Sequence, residues 1–181
     1  MSDDLMIFVA LEDECPASLI APYEVVYTGV GKVNAAIAAA EALARRRPKL
    51  AVNFGTAGAV APGLGGLIEC GAAVQRDMDL RPLGFALGET FGDPPPHEER
   101  WGDGPVVGTG DSFAAERPEL ACDLVDMEAF ALARACRRAG AAFRCVKYVS
   151  DAADGAAAED WDANKARGAA LFAEWLDALR D

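Results

Sequence analysis

The sequence predicts an α/β protein, a sheet sandwiched between helical layers, on three observations. Strand-length apolar runs alternate with segments of helical periodicity along the chain. The first run, Leu5 to Ala10, is apolar without interruption, as a strand covered on both faces must be. The breaks between segments fall largely on Gly and Pro.

Taken in order, Leu5 to Ala10 is the first strand and Glu24 to Thr28 the second, ended by Gly29-Val30-Gly31. Asn34 to Arg47 is Ala-rich, carries three Arg in its last turn and meets Pro48, which predicts a helix with a C-terminal stop. The Arg45-Arg46-Arg47 cluster complements the negative end of that helix. Leu50 to Phe54 is a third strand, followed by the small-residue run Gly55 to Ala59; Leu67 to Gln75 and Pro105 to Thr109 are further strands. Between Arg81 and Asp103, three consecutive prolines and several Gly predict an exposed loop. Cys122 to Ala139 places Leu124, Met127, Ala131, Leu132 and Ala135 at helical spacing and ends at Gly140. Phe143 to Val149 is a strand, and Trp161 to Leu179 an amphipathic helix with Leu171, Trp175 and Leu179 on one face. No repeat and no linker divides the chain, so residues 1–181 are expected to form one domain.

Composition excludes several function classes. Of 181 residues, 52% are apolar, which argues against disorder, and the formal net charge of −12 disfavours a phosphate backbone as partner. No run approaches the ~18 apolar residues that a membrane span needs, and the acidic start Met1-Ser2-Asp3-Asp4 is unlike a secretory leader. Five scattered cysteines without a C-x-x-C pair read as free thiols in a reducing compartment, and a single His makes a transition-metal site improbable. The expectation is a cytoplasmic protein without nucleic acid or membrane as partner, needing neither metal nor cofactor.

The Gly-rich turn at Thr28 to Asn34 invites a nucleotide reading, and fails it. A phosphate loop would need Gly where Val26 stands and Ser or Thr where Val33 stands; a dinucleotide fingerprint starting at Gly29 would end on Asn34. Gly55-Thr56-Ala57-Gly58 has two readings. Small residues after a buried strand let backbone N–H groups approach a ligand, or they pack a turn tightly against a helix.

Three acidic residues stand in suggestive places. Glu14 follows the first strand, Glu128 lies amid apolar neighbours in Asp126-Met127-Glu128-Ala129, and Asp151 follows the strand Val146 to Val149. Ligands of open α/β sheets bind at the carboxyl ends of strands. Each acid alone could be a solvated turn residue or a cap; their joint occurrence is the signal.

Thr28 to Ala36, Gly55 to Gly58, Gly110-Asp111-Ser112-Phe113, Asp126 to Ala129 and Ser150 to Asp154 occur in that order. Together they resemble the nucleosidase branch of the purine nucleoside phosphorylase superfamily, nearest to 5′-methylthioadenosine/S-adenosylhomocysteine nucleosidase. The resemblance runs from about Met6 to Asp154. It implies a three-layer fold with a twisted mixed β-sheet flanked by helices, a homodimer, and hydrolysis of the bond between a purine and ribose. It also implies roles. Asp151 is the general acid at the imidazole ring of the base, with Ser150 orienting it, and Glu14 holds and activates the attacking water. Glu128 binds the ribose hydroxyls with Met127 beneath the sugar. Phe113 stacks on the purine, and the backbone of Ala114 reads its edge. Thr56, Ala57 and Gly58 line the pocket near the water, and Leu11 and Val30 wall the ribose and its 5′ substituent.

Water is favoured over phosphate as nucleophile. Phosphate requires cationic donors, and where phosphorylases of this superfamily carry Arg this chain has Asn53. The acidic Glu12-Asp13-Glu14 repels an anion at about 1–4 kcal/mol per charge at a few ångströms. Departures from the family pattern lie between Gly84 and Gly104, where a longer segment is replaced by a Pro-rich piece holding His97. A shortened wall suits a larger 5′ group, as in the sister activities on futalosine or adenosyl-hopanoid. His97 is expected to be solvent-exposed. Asp77 and Asp79 are read as a solvated turn, with an approach to the pocket as the alternative. Val30 and Leu64 are candidates for a two-fold contact. A nucleoside-binding protein without turnover is the competing class, disfavoured because binding alone needs no acid and base.

Overall fold

The computed structural model describes residues 4–92, 97–114, 116–151 and 157–179; at 150–151 and 157–165 it describes the backbone alone. Strand β1 (Leu5–Val9) shows why the chain forms layers. Its alternate residues Met6 and Phe8 enter one core, while Ile7 and Val9 enter another on the opposite face. Strand β2 (Glu24–Tyr27) pairs parallel to it.

Helix α1 (Lys32–Arg46) begins two residues before the expected Asn34, behind Gly31 at φ +94°. Ala35, Ala39, Ala42 and Leu43 are its buried stripe, small enough to bring the helix close to the sheet. Strand β3 (Leu50–Ala59) does not stop at Phe54. The small-residue run continues as strand because it pairs on both sides, with β9 (Ala142–Asp151) and at Gly58–Ala59 with β8 (Leu124–Asp126).

The single strand expected over 67–75 divides at Gly71 into β4 (Gly66–Cys70) and β5 (Ala72–Gln75). A Cβ at Gly71 would lie 2.1 Å from the Gly104 nitrogen, so two backbones touch there. The chain changes partners at this point. β4 pairs with β9, whereas β5 pairs with β6 (Glu98–Arg100) and with β7 (Val106–Thr109). β6 lies within the stretch expected to be an exposed loop, and His97 beside it is mostly covered, its side chain only 15% exposed and 3.7 Å from Glu89.

The expected helix from Cys122 is also divided. Leu124–Asp126 forms β8, and α2 (Ala129–Ala139) follows; Leu124 satisfies a helical stripe in sequence but its segment is claimed by pairing with β7 and β3. Helix α3 (Ala157–Ala178) closes the described chain. Among its described side chains Ala169, Phe172 and Leu176 are buried, with Leu171 and Trp175 at the margin. Phe172 stacks on Phe54 of β3 at 4.2 Å.

The sheet runs β2-β1-β3-β8-β7-β5-β6, with β9 paired to β3 and to β4. Helices α1 and α2 share one core and α3 covers the other face, which makes the three layers. The sheet is mixed. One parallel block (β2, β1, β3, β9) meets another (β8, β7, β5) through the antiparallel contact of β3 with β8. The five cysteines are free and buried. Among the described residues no helix is long and apolar enough to cross a membrane.

Candidate active site

The seam between the two parallel blocks is where strand ends converge, and a cavity of about 250 Å³ opens there. Ten of the twelve residues singled out from the sequence line it: Leu11, Glu14, Val30, Thr56, Ala57, Gly58, Phe113, Ala114, Met127 and Glu128. The other two are Ser150 and Asp151. Their backbone ends β9, with Asp151 opposite Gly58, and their side chains lie outside the described residues.

Glu14 sits in the turn after β1 and is 4% exposed. Its Oε1 accepts the Thr56 N–H at 3.1 Å and the Thr56 hydroxyl at 2.8 Å, and its Oε2 accepts the Leu11 N–H at 3.3 Å. A carboxylate offers about four acceptor positions, so one remains, on Oε2, for a water. The run Gly55 to Gly58 therefore reaches the cavity as strand and not as turn, and supplies both backbone and hydroxyl donors.

Glu128 does not lie on a helix, as the sequence suggested, but at the residue before α2 begins. Its Oε1 accepts the Gly31 N–H at 2.8 Å, which ties the cavity to the entrance of α1. Burial, and after it the neighbouring Asp126 charge, push its carboxyl up to about 7, against the opposing pull of Lys147 and the Gly31 N–H.

Beneath the cavity lies a charged pair that the sequence reading passed over. Lys147, in the middle of apolar β9, is buried and its Nζ stands 2.8 Å from Asp126 Oδ2. Asp126 also takes the Thr109 hydroxyl at 2.6 Å and the Ala129 N–H at 2.8 Å. Burial opposes its charge, yet Lys147 and these donors hold its carboxyl below the ordinary range. For Lys147 burial likewise opposes the charge, and Asp126 foremost keeps the ammonium protonated more tightly than usual. Gly55 leaves room for the ammonium, since a Cβ there would meet Lys147 Nζ at 3.5 Å and Glu14 Oε1 at 3.7 Å. A lysine inside the apolar run Cys145 to Val149 was the available signal, because a buried ammonium demands a buried acid.

At the far end the loop after β7 carries Ser112, Phe113 and Ala114 along the wall. Phe113 is 54% exposed, a ring presented to the opening rather than packed in the core. Arg76, also unremarked in the sequence, lines this end and donates to the Gly110 carbonyl at 3.4 Å, the Ser112 hydroxyl at 3.2 Å and the Ser112 carbonyl. Asn53 points elsewhere. Its amide donates to the Phe8 and Phe54 carbonyls at 3.2 Å each, within the sheet. Of the two acids read as a solvated turn, Asp79 pairs with Arg81 at the surface, but Asp77 binds Lys32 at 2.5 Å and the Asp111 N–H at 2.8 Å beside the cavity. Leu64 is half-buried against the sheet, whereas Val30 is 42% exposed at the rim.

The family model of the Phosphorylase superfamily matches residues 21–99 and 100–179. The chain is similar to the 5′-methylthioadenosine/S-adenosylhomocysteine nucleosidase of Geobacillus thermodenitrificans, 32% identical over 155 residues that cover 70% of this chain and 65% of the relative's length. Its fold is similar to that of an S-adenosylhomocysteine nucleosidase from Streptococcus pyogenes, solved with 5-methylthiotubericidin, at a TM-score of 0.82 and 25% identity over 97% of this chain and 96% of that one. A futalosine hydrolase of Helicobacter pylori shares the fold at a TM-score of 0.88 and 19% identity, covering 98% of this chain and 97% of that one.

Proposed function

The chain belongs to the phosphorylase superfamily, and on that premise we propose that it is a purine nucleosidase of the 5′-methylthioadenosine/S-adenosylhomocysteine type, a single domain that uses water as nucleophile. The observation that carries this reading is the cavity shared by Glu14 and Glu128, together with the pairing of the Asp151 backbone with Gly58, which lines it. In the reaction the bond between ribose C1′ and the purine breaks and its electron pair enters the base. Asp151, oriented by Ser150, gives a proton to the imidazole-ring nitrogen, so that the base leaves neutral. The electron-poor ribose is taken by a water that Glu14 holds on its open Oε2 position and from which it accepts the proton. Glu128 accepts hydrogen bonds from the ribose hydroxyls above Met127, and Leu11 and Val30 wall the sugar and its 5′ group. Phe113 stacks on the purine while Ala114 reads its edge, and Thr56, Ala57 and Gly58 border the water.

Phosphate fits this cavity poorly. The water-binding end holds Glu14, Asp126 and Glu128, and the cation there, Lys147, is already committed to Asp126. An added dianion meets net repulsion of about 1–4 kcal/mol for each uncompensated charge at these ranges. Arg76 lies at the other end with its donors on loop carbonyls. Purified protein given 5′-methylthioadenosine in phosphate-free buffer releases adenine on this reading; release that required added phosphate would overturn it.

Two features bear on partners. Val33 and Ile37, one turn apart on α1, are 67% and 56% exposed next to Val30 at the rim, a face suited to a second copy of the chain, as in a homodimer. The rim at Val30 opens to a second hollow shared with Val33 and Met127, which favours a bulky 5′ substituent, as on futalosine, as the alternative substrate. A screen of purine nucleosides with varied 5′ groups separates these substrates, and light scattering reports the dimer. We place the protein in the cytoplasm, in keeping with its buried free thiols.

A further inference from the structure

Two consecutive backbone N–H groups at the entrance of α1 hold two carboxylates, Glu128 that lines the cavity and Asp111 that lines the adjoining hollow. Gly31 donates to Glu128 Oε1 at 2.8 Å, and Lys32 donates to Asp111 Oδ1 at 2.7 Å. The left-handed φ of +94° at Gly31 lets these neighbouring donors serve separate acceptors, and a Cβ there would stand 3.1 Å from Asp111 Oδ1. Asp111 begins the loop that carries Phe113 and Ala114, and Glu128, which lines the same cavity as those two, stands just before α2.

The Lys32 side chain closes a charged ring around the same point. Its Nζ is 2.5 Å from Asp77 Oδ1 and 3.8 Å from Asp111 Oδ2, and Asp77 Oδ2 in turn accepts the Asp111 N–H at 2.8 Å. The Lys32 side chain is 16% exposed and those of Asp77 and Asp111 are 30% and 46% exposed, so the ring stands partly open to solvent and its hold comes from several contacts acting together. Neither Lys32 nor Asp77 lines the cavity. The loop is thus pinned at Asp111 by the ring and at Gly110 and Ser112 by Arg76, while the Phe113 ring itself stands half in the open.

We propose that Lys32 and Asp77 are positioning residues for the base. Their ring with Asp111 fixes Phe113 and Ala114 at the distance from Glu128 that one purine nucleoside spans, so that base and sugar contacts form together. This rests on the reading that Phe113 and Ala114 meet the base and Glu128 the ribose. Without the ring the loop must be ordered by the ligand, and that entropy is subtracted from binding. The groups that handle protons, Glu14 and Asp151, stand on other elements, so the loss falls on affinity more than on turnover.

The test compares Lys32→Met, Lys32→Arg, Asp77→Asn, Phe113→Ala and the double variant Lys32→Met/Phe113→Ala in the full chain. The readouts are kcat and KM for 5′-methylthioadenosine and the Kd of free adenine by calorimetry. Lys32→Met and Asp77→Asn are expected to raise both KM and the adenine Kd about tenfold, with kcat changed less than about threefold. Lys32→Arg, which keeps the charge, restores most of the affinity. In the Phe113→Ala background Lys32→Met adds less than about twofold, because the ring it positions is gone. A purely architectural role would lower the melting temperature and the active fraction while leaving the adenine Kd in place, and that result overturns the proposal. So does a Lys32→Met effect that adds in full to Phe113→Ala. If Lys32→Met does not fold, Asp77→Asn carries the same comparison, alone and with Phe113→Ala. Failure of Phe113→Ala itself to weaken adenine binding would instead remove the base-site reading, a separate and recognisable outcome.

Discussion

If Glu128 binds the ribose as proposed, its protonation should govern nucleoside binding. Its carboxyl is pushed up to about 7 by burial and by Asp126, with Lys147 and the Gly31 N–H working the other way. On the proposed reading Glu128 accepts two ribose hydroxyls best when ionised, and the raised value means that this form is lost as pH falls through 7. The ionised fraction drops from about nine-tenths at pH 8 to about one-hundredth at pH 5, which weakens nucleoside binding by roughly 100-fold across that range. The assay is the Kd of a non-hydrolysable purine nucleoside by calorimetry from pH 5 to pH 8, on wild type and Glu128→Gln. Glu128→Gln should bind weakly at pH 8 and lose most of the slope. A flat profile in the wild type, or an equal slope in the variant, refutes the reasoning. The sign for folding is the reverse. Unfolded, the same carboxyl titrates near its ordinary 4.5, so the folded state holds a proton the unfolded chain releases. The resulting penalty is absent below about pH 4.5, grows as pH rises to 7 and levels off at about 3 kcal/mol. Glu128→Gln should therefore be more resistant to urea than wild type at pH 8, and gain little at pH 4.5.

Lys147→Met leaves Asp126 buried without its cation and should lower the unfolding free energy by about 3–5 kcal/mol in urea titrations; an unchanged midpoint would mean the pair is not the anchor it looks like. Asp151→Asn should keep the circular dichroism spectrum and lose about 100-fold or more in turnover, and near-normal adenine release would show that the wrong acid has been named. Gly168→Ala drives a Cβ to 2.7 Å from the Tyr148 Cβ, where α3 crosses β9, and should cost about 1–3 kcal/mol of stability by thermal melting.

How far the chain could be read in advance depended on whether local pattern and tertiary pairing agree. In β1 and α1 they do. An unbroken apolar run can only be a strand buried on both faces, and an Ala-rich segment closed by Arg and Pro is a helix in almost any setting. At Leu124 they part. Leu124, Met127 and Ala131 fit a helical stripe, but Leu124–Asp126 has strand partners on both sides, and no periodicity within the segment records partners seventeen and some sixty-five residues upstream. The division of 67–75 has the same origin, because Gly71 is broken by a backbone contact with Gly104 and not by its neighbours in sequence.

The site was legible in its motifs and silent in its supports. Glu14, Glu128 and Phe113 stand in short recognisable contexts, and they do line one cavity. Lys147, Asp126, Arg76 and the Lys32–Asp77 pair act through other residues, so they leave no spacing rule. Asp77 carried only an alternative reading as an approach to the pocket, and Lys147 had a local mark, a charge in an apolar strand, whose meaning emerges once Asp126 is found opposite.

The long strand β3 has one more consequence. Its register with β9 joins Leu50 to Ala142 and Gly58 to Asp151, some ninety residues away along the chain. On the ribosome the first third is made well before its neighbour exists, and β3 waits with one edge open. The Gly-Thr-Ala-Gly-Ala tip offers such an edge little apolar bulk for a stray strand to grip. Loop closure of that span is slow, and the β3 strand that lines the cavity gains its second neighbour only when the late-synthesised β9 pairs with it. On the proposed reading a half-made chain, which lacks β9 and the Asp151 at its end, cleaves no nucleoside.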